Sequence, residues 1–411
     1  MISVTNLWHD SARNAFLIIF ARGISDFGAF LNMVALSTYV YILSNSVMYV
    51  SIFLAARVAG GIFASSIGTL FFRRFIGRWS LIGFDVLRAL LLVSFFIVSQ
   101  SAQIYILPIV AFGIGLGNAM FSIGINTQIP YLIQDSKRVS VNGWLSSVSA
   151  TAAVLGSLVS GLVVALNGYE AVFALNIITY LLASIIIYPI TIVREPNKQS
   201  NSSDREWRNL VKVLRGHKML SLILLITMAD TLGSAAHNVG FPIISKLIAP
   251  ESISSTMGLI LAFWAVGKFG GARLISILLK NKNNLSIEKY FMFGVFLMST
   301  GFILLFAQSS TILLVPFAIW AGLGDGVSEV SLLSRVQNES DEVRLPIFSL
   351  LTLMQMTGFG IGMLIVAPFF VWWAPTYVVL LFHGIPIGIM FITLYKMRNY
   401  LFNGNGDKTV R

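Results

Sequence analysis

Twelve apolar stretches follow one another along the chain, separated by short polar gaps. They cover roughly 14–43, 47–72, 79–99, 103–132, 140–166 and 168–192. After a polar stretch come 218–247, 255–279, 287–308, 311–336, 344–371 and 374–398. A helix needs about 20 apolar residues to cross a hydrocarbon core, and helices satisfy their own backbone in lipid. The short alternating segments of a membrane β-barrel are absent. The pattern predicts an all-α integral membrane protein with twelve transmembrane helices in two six-helix pseudo-repeat bundles. The expected domains are bundle 1–193, cytoplasmic linker 194–217, bundle 218–399 and cytoplasmic tail 400–411. Within the linker, Trp207 to Leu214 reads either as a short amphipathic helix or as a solvated tether.

Charge turns this pattern into a topology. Of the 28 Lys and Arg, 22 fall at one set of ends, from Arg13 through the Arg73–Arg78 loop and the linker to Arg411. The opposite loops hold Lys246 alone, and Arg22, Arg57, Arg88, Lys268 and Arg273 lie inside spans. The positive-inside rule then puts both termini and the linker in the cytoplasm of a multi-pass inner (cytoplasmic) membrane protein. Composition agrees: 56% of residues are hydrophobic and 11% charged, where soluble domains carry about 25% charged. The net charge of +11 is a topology signal, and no basic soluble domain exists to bind nucleic acid. Zero cysteines exclude thiolate chemistry. The polar first dozen residues lead straight into a full-length span, so no cleavable signal is expected. No phosphate-binding loop, metal-ligand cluster or nucleophile triad is present. No enzyme, metal or cofactor is therefore expected.

The halves look like repeats. Gly28 and Val34 of span one match Gly233 and Val239 of span seven at an offset of 205. Gly117-Asn118 matches Gly324-Asp325 at 207, and Arg138 matches Arg344 at 206. Gly156 and Gly161 of span five answer Gly358, Gly360 and Gly362 of span eleven. Two six-helix halves about a midplane site form a transporter architecture.

At these residues the chain resembles the major facilitator superfamily, and within it the multidrug and macrolide-type proton-driven exporters. The loop Gly68-Thr69-Leu70-Phe71-Phe72-Arg73-Arg74-Phe75-Ile76-Gly77-Arg78 is similar to the family's cytoplasmic signature. Phe72 stands where the family has aspartate. Asp85 and Arg88 follow, as a D-x-x-R does in relatives. The resemblance implies a cytoplasmic gate of Gly68, Arg73, Arg74, Gly77, Arg78, Asp85 and Arg88, with Arg273 as counterpart in the second half. In span five, Gly156, Ser157 and Gly161 are similar to the antiporter motif, with Ser157 in place of its proline. The small-residue face that lets helices approach is kept.

Ionisable groups inside spans are costly and mark functional candidates. Arg22 and Asp26 share one helical face, as either a self-neutralising pair or a substrate or proton contact. Asp230 sits at the equivalent depth of span seven with no basic residue within a turn, and His237 lies on roughly the same face. Asp325 and Glu329 lie four apart on span ten, so their titration is coupled, unless Lys268 or Arg273 pairs with them. The proton-coupling candidates are Asp325, Glu329, Asp230 and Asp26. The substrate-cavity candidates are Arg22, Asn32, Arg57, Asn118, His237 and Lys268. Phe30, Trp144, Trp264 and Trp320 are candidate cavity aromatics or interfacial packing residues. Trp372 and Trp373 read as interface anchors, and Gln128 and Gln355 as interhelical hydrogen-bonders.

These features predict a monomeric secondary transporter that exports a small molecule, a drug-like amphiphile or natural product such as a siderophore or peptide antibiotic, by proton antiport with alternating access. Its partners are that solute, protons and the lipid bilayer. Three alternatives stay open: a lipid flippase, a nutrient importer or symporter, and a transport-dead sensor.

Overall fold

The computed structural model describes residues 4–75, 77–132, 135–190, 218–280, 287–337 and 341–396. The expected linker 194–217, its Trp207–Leu214 segment and the tail 400–411 lie outside the described residues. The described residues form α1 (Val4–Ser44), α2 (Val47–Arg74), α3 (Arg78–Ile97) and α4 (Gln100–Leu132), followed by one long run, Asp135–Ile187. Further along the chain come α7 (Lys218–Ile248), α8 (Ile253–Lys280), α9 (Ile287–Phe306), α10 (Thr311–Gln337), α11 (Asp341–Trp372) and α12 (Pro375–Lys396).

The run of 53 residues is two helices, broken at Gly168 with φ 79° and ψ −177°. They are labelled α5 (135–167) and α6 (169–187). A positive φ of this kind suits glycine, which has no Cβ to clash. The direction of the chain changes there. Along α5, Val148 packs at Gly23 and Ser160 bonds to Leu31, so numbers rise together with α1. Along α6, Tyr169 meets Thr38 and Thr179 meets Gly28, so they run oppositely. Where twelve spans are expected, eleven continuous segments among the described residues are long and apolar enough to cross a membrane, because spans five and six join at Gly168 without a loop.

The chain forms two compact units. Unit 1 comprises Met1–Lys198 with Ala249–Ala262, and unit 2 comprises Gln199–Ile248 with Phe263–Arg411. The first turns of α8 cluster with unit 1.

Within unit 1, α1 packs along the α5–α6 run, α2 along α4, and α3 against both α4 and the α5–α6 run. Ile18, Phe121, Val141 and Ile187 meet in its core. Within unit 2, α7 packs on α11 and α12, and α9 on α10 and α12. Ile223, Phe291, Leu332 and Met390 form the matching core. Large apolar side chains such as Ile97, Ile312 and Tyr395 remain exposed on the helices. A lipid-bathed surface accepts this, since lipid tails are as apolar as the side chains they meet.

Glycines set the closest approaches, and they recur. A Cβ on Gly60 would strike the carbonyl of Phe112, and one on Gly115 the carbonyl of Arg57. In unit 2, Gly267 faces the carbonyl of Ile319, and Gly322 that of Trp264. Every residue in the second set lies 207 positions after its counterpart. The α2–α4 and α8–α10 pairs therefore share one backbone template.

Candidate functional site

In unit 2 the α8–α10 approach carries charge. Lys268 Nζ lies 3.2 Å from Asp325 and 2.8 Å from Glu329, bridging the two carboxylates. Its ammonium also sits 5.2 Å from the Trp264 ring centre. The bridge follows from the backbone contact: Gly322 packs against Trp264 and Lys268, and Gly326 against the backbone of Lys268 and Ala272. One turn of α10 then sets Asp325 and Glu329 on the face that α8 covers. The expected carboxyl dyad is thus a lysine-bridged triad, and Lys268 is an ion-pair partner of the acids. Asp230 of α7 is within electrostatic reach of both Asp325 and Lys268. Its Oδ1 is buried without a hydrogen-bond partner among the described residues. Two carboxylates therefore hold one ammonium with a third carboxyl group nearby, an arrangement that can take up a proton or a solute cation. Arg273 is exposed further along α8 and does not join them.

Unit 1 places its charges otherwise. Arg88 and Asp85, an i,i+3 ion pair on α3, are 1% and 0% exposed. The Arg88 guanidinium donates to Asn118 Oδ1 at 2.6 Å and to Ser25 Oγ at 3.0 Å. It stacks over Tyr180, 4.2 Å from the ring centre, and over Phe121 at 4.9 Å. Asp85 and Arg88 knit α1, α3, α4 and α6 in the interior of the unit. Asn118 is spent on Arg88, while its repeat counterpart Asp325 holds Lys268. Arg22 Nε donates to Asp26 at 2.7 Å, and Ser149 of α5 also donates to Asp26. Arg57 makes no ion pair or side-chain hydrogen bond among the described residues, and Asn32 is fully buried with both side-chain polar atoms unpartnered.

His237 forms a buried chain. Its Nδ1 lies 3.1 Å from Nε2 of His383, whose Nδ1 lies 3.2 Å from Ser299 Oγ. The His237 ring stacks on Phe302 with centres 3.7 Å apart. Residue type alone flags His383 as an ionisable group inside a span, but nothing in its spacing names a partner on α7.

The signature loop is largely apolar. Phe72, in the aspartate position, is buried against Ala64 and Met120 and rings with Phe71 and Phe84. Gly124 leaves the space that its ring fills. Gly68 packs against Ile123, and Gly77, at φ 148°, precedes the first turn of α3. Arg78 donates to the Tyr188 carbonyl at 2.7 Å and ties α3 to the end of α6. The side chains of Arg73 and Arg74 lie outside the described residues. In α5, Gly156 packs against the Phe27 carbonyl and Leu31 of α1, while Gly161 packs on Ser254 and Ser255. Ser157 is fully buried. Trp264 joins the Lys268 cluster, whereas Trp144, Trp320, Trp372 and Trp373 are exposed and Phe30 is half-buried. Gln128 donates weakly to the Gly77 carbonyl at 3.5 Å, and Gln355 is exposed.

The model of the Major Facilitator Superfamily matches residues 18–363. No curated protein matches the chain. Among solved structures, a point-mutant form of the nucleoside transporter NupG is similar, with TM-score 0.72 and 14% identity over 93% of this chain and 99% of that one. A POT family peptide transporter in an auto-inhibited form gives TM-score 0.74 and 11% identity, covering 94% and 97%. A bacterial homologue of the human lysosomal transporter Spinster, inward-facing and unoccupied, gives 0.68 and 12%, covering 95% and 94%. At these identities the likeness is one of fold.

Proposed function

Because the chain belongs to the Major Facilitator Superfamily, we propose that this multi-pass membrane protein is a monomeric proton-coupled exporter of a small molecule, working across the inner (cytoplasmic) membrane. Its two units carry twelve crossings, α5 and α6 counting separately, with both termini cytoplasmic. The observation that carries the reading is the Lys268 bridge to Asp325 and Glu329, with Asp230 in electrostatic reach. A proton taken up by one carboxylate removes one arm of the bridge and leaves Lys268 on the other. The charge inside unit 2 then differs between loaded and empty states, which is what a coupled carrier needs to bias alternating access. Arg22 and Asp26, already paired, serve as a polar solute contact in unit 1, and unpaired Arg57 and unsatisfied Asn32 add hydrogen-bonding capacity there.

Outward direction is supported by the antiporter-like face of α5, whose Gly156 allows backbone contact with α1. Inward symport is the second reading. The structural neighbours named as nucleoside and peptide transporters make those two solute classes the first to test, alongside amphiphilic drugs. The experiment uses the purified protein in liposomes with an imposed pH gradient and labelled solutes from each class. Under our reading, solute moves opposite to the proton gradient, and Asp325→Asn with Glu329→Gln together remove the gradient's effect. Movement of solute with the protons would establish symport. A gradient effect that persists in the double variant would remove the cluster from the mechanism.

A further inference from the structure

A pocket of about 560 Å³ lies in unit 1 where the end of α1, the α3–α4 turn and the α5–α6 reversal meet. By the charge topology this is the face away from the basic loops. Its floor is aromatic. The Tyr39 ring lies 5.0 Å from Tyr169 and 5.5 Å from Phe173, and Phe95 stacks on Phe173 at 4.9 Å. Phe96 adds a half-exposed ring to the lining.

The polar groups of the pocket divide into two sets. The first is committed. Tyr39 donates its hydroxyl to Gln103 Oε1, and Gln103 Nε2 donates to the carbonyls of Phe95 at 2.9 Å and Val98 at 3.2 Å. The Tyr169 hydroxyl bonds to Thr38 at 3.1 Å and to Ser254 at 2.9 Å, both in the same unit. These bonds hold the floor rigid. The second set is Gln100, Asn167 and Glu170, which line the pocket and make no side-chain hydrogen bond or ion pair among the described residues. Glu170 is the one charged residue in the lining, and it is exposed. A volume in the range of small-ligand sites, aromatic faces and a single free carboxylate together suit a cation carrying apolar substituents, attracted by ring and carboxylate alike.

We propose that this pocket is a binding site for a small organic cation of the alkylammonium or quaternary ammonium class, reached from the outer face and separate from the charged cluster of unit 2. The charge sits at Glu170, the substituents sit on Tyr39, Phe96 and Tyr169, and Asn167 and Gln100 meet any polar arm. The site does not depend on the direction or the coupling of transport.

Calorimetric titration of the purified protein with choline, and with its uncharged carbon isostere, tests this. Choline is expected to bind and the isostere to fail. Glu170→Gln should weaken choline at least about tenfold, the change expected on losing one charged contact, and Phe96→Ala severalfold. Both residues are exposed, so both variants should melt with the parent. Asp325→Asn should leave choline binding unchanged. Absence of choline binding at millimolar concentration, equal binding by Glu170→Gln, or loss of binding in Asp325→Asn would each overturn the assignment.

Discussion

Nδ1 of His237 lies 3.1 Å from Nε2 of His383, two buried rings brought together from α7 and α12 across 146 residues of chain. His383 is fully buried and backed by Ser299, and Gly233 leaves the room its ring needs. His383→Ala would open a cavity and strand a ring nitrogen and a hydroxyl. The expected cost is about 3 kcal/mol, measured as loss of thermal stability of the detergent-solubilised protein. A milder route to the same contact is Gly233→Ala, whose new Cβ would stand 2.8 Å from His383 Nδ1. Overpacking of that kind costs about 1–3 kcal/mol.

The interior pair Arg88–Asp85 gives a second test. Arg88→Met leaves Asp85 buried without its charge partner, a change worth about 3–5 kcal/mol. Replacing both, Arg88→Met with Asp85→Leu, should recover much of the loss, because the uncompensated charge is gone. Arg88→Lys should fare poorly, since an ammonium cannot reach Asn118 and Ser25 at once while stacking on Tyr180. A double variant as unstable as the single one would contradict this account.

Within the Lys268 bridge the two acids should differ. Asp325 is 19% exposed and Glu329 50%. An exposed ion pair is worth little, so Glu329→Gln should slow gradient-driven transport by only about threefold. Asp325→Asn removes the more enclosed charged contact and should cost at least about tenfold. Initial rates in liposomes of matched protein content distinguish the two, and equal effects would mean that burial does not set the ranking.

Gly115 and Gly322 should not tolerate a methyl group, since each faces a backbone carbonyl that cannot step aside. Gly115→Ala and Gly322→Ala are each expected to lose about 3 kcal/mol, seen as poor yield of folded protein. Gly61→Ala and Gly384→Ala, where nothing lies within 4 Å of the added carbon, should be neutral or gain up to about 1 kcal/mol from helix propensity.

What was legible in the chain follows from distance along it. Arg22 with Asp26, and Asp325 with Glu329, share faces because four residues make about one helical turn. The break between spans five and six shows in the Asn167-Gly168 dipeptide, a turn signal between two apolar runs. Partners from distant helices were not legible. That Lys268 reaches both acids depends on α8 and α10 touching at Gly322, and that Arg88 turns to Asn118 depends on the packing of α3 on α4. Phe72 reads in sequence as a lost charge. In the fold it is a ring among rings, and the pattern of a motif cannot report what fills a vacated position. The role of His383 is not legible in sequence because one histidine in an apolar span has no periodic neighbour to name it.

The glycine contacts between α8 and α10 carry a consequence for motion. Lys268 and Asp325 ride on two helices whose backbones already touch at Gly322 and Gly326. Backbones packed this closely yield little to compression, so the two helices keep a nearly fixed spacing. The distance between the two charges is therefore held in a narrow range by the backbone itself. Within that range, rotation of a side chain, arrival of a proton or intrusion of a solute parts them. The pair acts as a chemical sensor mounted on a stiff beam: its state records what is bound, and the beam can pass that state on only by moving as a whole.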